Sequence, residues 1–189
     1  YVAAGAYVQR RALRIRGAQG VRVRGPGVLA MASRVEDARD VEIAGPVFDI
    51  GYKNWMNRID VSSDIAYRWT KSLCLDIGVN NDGFDIMSGC RRIRIEDSFI
   101  RSNDDVVVLK HHPHSHVYWA SKTPTSDVLV SRCVLWNLNG GNVFEVGVET
   151  IGSSIGRFRA EDCDVIRADS KTGGVFDVAA PDHARIHDL

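Results

Sequence analysis

Apolar residues in this chain fall in short alternating triplets. Leu13-Arg14-Ile15, Val21-Arg22-Val23, Val41-Glu42-Ile43, Ile93-Arg94-Ile95, Phe158-Arg159-Ala160 and Ala184-Arg185-Ile186 each place two apolar side chains on one face. Val128-Leu129-Val130 belongs to the same series. A period of two marks a strand with one buried face, and no segment sustains the 3.6-residue period of a helix. Three copies align further. Arg94-Ile95-Glu96-Asp97-Ser98, Leu129-Val130-Ser131-Arg132-Cys133 and Arg159-Ala160-Glu161-Asp162-Cys163 occupy equivalent places. Each is followed by a polar turn and a second strand: Val106 to Leu109, Val143 to Val146 and Val175 to Val178. This predicts a repeat of two strands.

Repeats at intervals in the tens of residues mean a solenoid or a propeller. The short strands, the absence of a Trp-Asp blade signature, and glycines at the corners (Gly17, Gly25, Gly45, Gly83, Gly89, Gly140, Gly141, Gly173, Gly174) favour the solenoid. The expected fold is an all-β, right-handed parallel β-helix. Val, Ile, Leu and Cys would form inward ladders from coil to coil. Residues 1–189 read as one domain, cut from a longer helix at both ends. The longest interruption runs from Lys110 to Ser126, and Gly51 to Thr70 is rich in Trp and Tyr.

Composition narrows the partners. Lys plus Arg and Asp plus Glu both number 24. A balanced charge argues against nucleic acid or a membrane surface as partner, and no apolar run approaches the ~20 residues of a membrane-spanning helix. Cys74, Cys90, Cys133 and Cys163 form no CxxC pair and read as small buried residues, with a disulfide open to an exported protein.

The chemistry concentrates in Asn80-Asn81-Asp82-Gly83-Phe84-Asp85 and Ser102-Asn103-Asp104-Asp105. Asp82 precedes Asp104 by 22 residues, about one coil, so parallel stacking brings Asp82 beside Asp104 or Asp105. On extended backbone Asp82 and Asp85 would face opposite ways, and Asp104 and Asp105 would diverge unless the chain bends. Asp and Asn are also ordinary turn residues. Carboxyls packed together repel, and such packing serves glycoside hydrolysis, where one is kept protonated and another ionised.

These residues resemble a known pattern. Asn80 to Asp85 is similar to the Asn-Thr-Asp-Gly-x-Asp motif of the polygalacturonase superfamily, glycoside hydrolase family 28. Asn103-Asp104-Asp105 resembles its Asp-Asp motif, and Tyr1 to Val8 with Val23 to Leu29 resembles its entry coils. The resemblance implies inverting hydrolysis, Asp104 as general acid, and Asp82 with Asp105 as the base acting on water. Two departures bear on substrate. Gly141-Asn142-Val143 stands where the family has Gly-His-Gly, and Val175-Phe176-Asp177 stands where it has Arg-Ile-Lys, the grip on a uronate. The dextranase and isopullulanase family, glycoside hydrolase family 49, shares the fold and trio without those basic residues. Asn103 to Val108 and Glu145-Val146-Gly147 resemble its motifs. A neutral, α-glucan-like polysaccharide is therefore expected ahead of pectin. A lyase, which requires a base and often Ca²⁺, and a non-catalytic carbohydrate-binding solenoid remain alternatives.

Around the catalytic trio, the expected substrate contacts are Asp85, Lys110, His111, His112, Trp119, Asn142, Glu145 and Trp55. Aromatic faces suit pyranose rings. Tyr67, Trp69 and Tyr118 are further candidates, and Trp136 reads as core. His111, His112, His114 and His116 have no standard metal-site spacing, so neither metal nor cofactor is expected. The resemblance also implies a secreted or periplasmic protein.

Overall fold

The computed structural model describes residues 1–51, 55–75, 80–111, 123–170, 173–181 and 183–189. No helix occurs among them. One sheet stacks β2 (Gln19–Arg24), β4 (Arg39–Ala44), β7 (Ser63–Arg68), β10 (Arg91–Glu96), β13 (Thr125–Ser131), β16 (Ser154–Glu161) and β19 (Arg185–His187) in that order, all parallel. The second sheet has two flanks. The first holds β5 (Val47–Ile50), β8 (Lys71–Cys74), β11 (Phe99–Ser102), β14 (Val134–Asn137) and β17 (Asp164–Ala168). The other holds β6 (Asn57–Asp60), β9 (Phe84–Ile86), β12 (Val107–Leu109), β15 (Phe144–Val146) and β18 (Phe176–Val178). A long strand, β3 (Val28–Glu36), joins the flanks, pairing with β5 through its first half and β6 through its second. β1 (Tyr7–Arg16) lies against it.

Each coil from β4 onward therefore contributes three strands, where the sequence pattern predicted two. The missed one is the first-flank strand, such as Phe99–Ser102. The alignment of the later repeats is observed residue for residue: Arg94 pairs with Leu129 and Leu129 with Arg159. Leu13-Arg14-Ile15, however, belongs to the second sheet, opposite Ser33-Arg34-Val35, and is no copy of Val21-Arg22-Val23.

Register aligns the core. Val41, Ile65, Ile93, Val128 and Phe158 form one inward ladder, and Val35, Ile59, Ile86, Leu109 and Val146 another. These side chains are buried, each contributing roughly 1.5–3 kcal/mol of apolar burial. Tyr67 is fully buried among them, edge-on to Phe84 at 4.9 Å, with its hydroxyl 2.9 Å from Ser33 Oγ. It is thus a core residue and not a sugar platform. Trp136 departs from expectation in the other direction. It is half-buried on the outer surface, between Arg101 at 5.1 Å and Arg167 at 6.0 Å on the neighbouring coils. The four cysteines are free thiols, three of them buried.

The corners use more than glycine. Asp40, Asp64, Arg92, Asp127, Arg157 and Asp188 succeed one another up one corner with φ between 52° and 60°. Left-handed backbone is unfavourable for such residues. Ion pairs run along the stack: Arg92 grips both oxygens of Asp64 at 2.6 and 2.8 Å, and Arg157 does the same to Asp127. On the next corner Arg132 holds Asp97 at 2.8 and 3.0 Å. The arginine hydrogen bonds hold the carboxyls of Asp64 and Asp127 at about 2. Their contribution to stability is present above the ordinary carboxylate range and is lost as pH falls toward 2. These pairs are exposed, so Arg132→Ala is expected to leave the urea unfolding midpoint at pH 7 nearly unchanged.

Candidate active site

The acids lie on turns that connect the two flanks of the second sheet, and these turns stack like the strands. The backbone N–H of Met56 reaches the carbonyl of Asp82 at 2.8 Å, that of Gly83 reaches Asp105 at 2.8 Å, and that of Val106 reaches Asn142 at 2.9 Å. Successive turns are thereby fixed one coil apart. Gly83 is required for this approach, because an added Cβ would overlap the carbonyl oxygen of Val106.

The bend at Gly83 cancels the expected divergence of Asp82 and Asp85. Both carboxyls lie against Lys110, whose Nζ is 3.0 Å from Asp82 Oδ2 and 3.1 Å from Asp85 Oδ1. The bend at Asn103 to Asp105 works similarly. Ser102 Oγ and Asn137 Nδ2 both donate to the carbonyl of Asp104, at 2.7 and 2.8 Å. One oxygen from each of Asp82, Asp104 and Asp105 lies within 4.8 Å of the others. Asp82 and Asp105 are buried, and Asp104 is half-buried.

Each carboxyl has distinct partners. Asp104 Oδ2 accepts the Asn80 N–H at 2.7 Å, and Asp105 Oδ1 accepts the Asn142 N–H at 2.7 Å. Burial, then the hydrogen bond to Glu145 and the neighbouring Asp82, push the Asp105 carboxyl up to about 9. Burial and Asp82 also raise Asp104. Asp85 is fully buried, and burial followed by the charge of Asp82 raises it well above the carboxylate range. Burial pulls the Lys110 ammonium down, but Asp85 and Asp82 more than offset this and hold it above its ordinary value. One ammonium faces two carboxyls in contact. Lys110 thus lies almost equally close to the two carboxyls, and burial with the neighbouring Asp82 charge favours the protonated form of Asp85.

The other expected contacts are distributed unevenly. Trp55 is half-buried, with its ring 4.5 Å from Lys110 Nζ and 5.6 Å from the Arg58 guanidinium. Asn142 and Glu145 adjoin Asp105, and Asn142 Nδ2 donates to Glu145 Oε2 at 2.9 Å. Lys110 is buried, with its ammonium against Asp82 and Asp85. His111 is also buried, with Nε2 3.0 Å from Thr125 Oγ1. His112 and Trp119, with the rest of the His cluster and Tyr118, lie outside the described residues. Asp177 stands in register with Glu145, so that ladder carries acids on adjacent coils. In the sequence Asn80 stands only as part of the acidic motif and Gly141 only as a corner glycine. Asn80 supplies an N–H to Asp104, while Gly141, at φ 63°, leaves room for both carboxyls of the Asp-Asp pair. Glu149, 3.8 Å from Lys110, gave no signal beyond its charge.

The fold and site define an all-β protein of stacked parallel strands with a buried acid cluster on one set of turns. No protein-family model, curated protein or solved structure matches the chain.

Proposed function

We propose that this protein is an inverting polysaccharide hydrolase on a right-handed parallel β-helix. The handedness follows from the near-universal right-handed crossover between parallel strands. The observation that carries the function is the meeting of Asp82, Asp104 and Asp105 from adjacent coils, with unequal environments. Asp104, half-buried and with a raised pKa, protonates the leaving glycosidic oxygen. Asp82, whose carboxylate is paired with Lys110, draws the proton from the attacking water. Acid and base in inverting enzymes commonly stand ~6.5–9.5 Å apart with the water between them. The nearest oxygens of the trio lie within 4.8 Å of one another, closer than that spacing, so the anomeric outcome is the deciding measurement for inversion.

The substrate is proposed to be a neutral glycan. Glu145 and Asp177 would repel a uronate, and the Lys110 ammonium is already engaged by Asp82 and Asp85. A polymer too large to enter a cell places the enzyme outside it or in a periplasm.

The test is turnover on dextran, pullulan and polygalacturonate, followed by reducing-end release and anomeric NMR. Asp104→Asn is expected to lower turnover by roughly 10²–10⁴-fold, with the fold retained. Retention of configuration, or unchanged turnover in Asp104→Asn, would overturn the reading. Faster cleavage of polygalacturonate than of either glucan would overturn the substrate assignment.

A further inference from the structure

Asp105 and Glu145 are buried carboxyl groups in hydrogen-bond contact. Asn142 clamps both: its backbone N–H goes to Asp105 Oδ1 at 2.7 Å and its side-chain amide to Glu145 Oε2 at 2.9 Å. The Gly174 N–H donates to Asn142 Oδ1 at 2.8 Å, which fixes the amide with Nδ2 toward Glu145. The Lys110 ammonium is directed elsewhere, to Asp82, Asp85 and Glu149. An ionised carboxylate only accepts hydrogen bonds, so contact between two of them requires a proton on one.

We propose that Asp105 and Glu145 hold one proton between them, and that Glu145 is a positioning residue that keeps Asp105 protonated. This rests on reading the site as hydrolytic. The charged groups around the pair act in one direction. Asp82 on the turn before β9, Asp104 beside Asp105, and Asp177 in register on β18 are all acids, and among the described residues the Asn142 donors act against them. The pair then carries a single negative charge. The base role that the family resemblance implies for Asp105 passes to Asp82, and Asp105 becomes a donor toward substrate or water.

The test is a ¹³C-carboxyl NMR titration of the whole chain, with the Asp105 signal assigned by Asp105→Asn. In the wild type, Asp105 is expected to keep its proton well above the carboxylate range. Glu145→Gln retains the acceptor for Asn142 but removes the charge, and should lower the Asp105 pKa by about one unit or more. The basic limb of the kcat/KM profile should move to lower pH by the same amount. Should Glu145→Gln fail to fold, an infrared comparison of wild type and Asp105→Asn at pH 7 decides. Loss of a protonated-carboxyl band supports the shared proton, and identical spectra overturn it. An Asp105 titration unmoved in folded Glu145→Gln also overturns it. If no glycan is cleaved, the hydrolase reading fails, yet the titration still decides the shared proton.

Discussion

Lys110→Met is expected to lower unfolding stability at pH 7 by about 3–5 kcal/mol, the effect of stranding one member of a buried ion pair. The methionine fills much of the lysine volume, so lost packing contributes little. The loss comes from the Asp82 carboxylate, buried and deprived of its ammonium, and from the contact between Trp55 and that cation. Two features separate this cause from a general loss of packing. The deficit should shrink in acid, because a protonated carboxyl needs no counter-charge. The double variant Lys110→Met/Asp82→Asn should regain much of the stability, since both charges are then gone. Urea titrations of wild type and both variants at pH 7 and pH 4 provide the measurement. A pH-independent deficit, or no rescue in the double variant, would show that Lys110 acts by packing alone.

Gly141→Ala should disable the site without touching an acid. Glycine at φ 63° is replaced by a residue that disfavours left-handed backbone by about 1 kcal/mol. The added Cβ would also overlap Asp105 Oδ1, Asp104 Oδ1 and the Asp105 backbone nitrogen. Overpacking of this kind typically costs about 1–3 kcal/mol. Here the displaced atoms are the carboxyls themselves, so turnover should fall along with stability. Gly152→Ala is the matched control. Its φ is 58°, but no atom lies within 4 Å of the added Cβ. It isolates the backbone contribution and should leave turnover intact. Equal effects in the two variants would mean that the turn at Gly141 does not shape the acid pair.

The repeat was legible because it rests on side-chain alternation, which is written in the order of residues. The pairing of Ile95 with Val130, and of Val107 with Phe144, follows from that pattern. The first-flank strands were not legible. Four residues such as Phe99-Ile100-Arg101-Ser102 are too short for a period-two pattern to stand out from a turn. The corners were half legible. Gly17, Gly25, Gly45, Gly89 and Gly141 have positive φ as expected, but so do Arg92, Arg132 and Arg157, which by type avoid that region. They are held there by the stacked hydrogen bonds and by an aspartate one coil below, at separations of 28, 35 and 30 residues. Spacings that irregular leave no local trace.

The sequence by itself brought Asp82 beside Asp104 or Asp105, because a separation near one coil length brings neighbouring turns together whatever the details of the turns. It also placed Asn142 and Glu145 near them, one repeat further along. Tertiary structure alone decided the surroundings of each acid. The bend at Gly83 turned Asp82 and Asp85 to the same side, and the burial of Lys110 gave its single positive charge to that pair. Asp105 was left facing Glu145, with no cation bridged to either among the described residues. Side-chain direction at a bend and the depth of burial depend on the coils above and below. The physical difference between one acid and its neighbour therefore arises only when the coils stack.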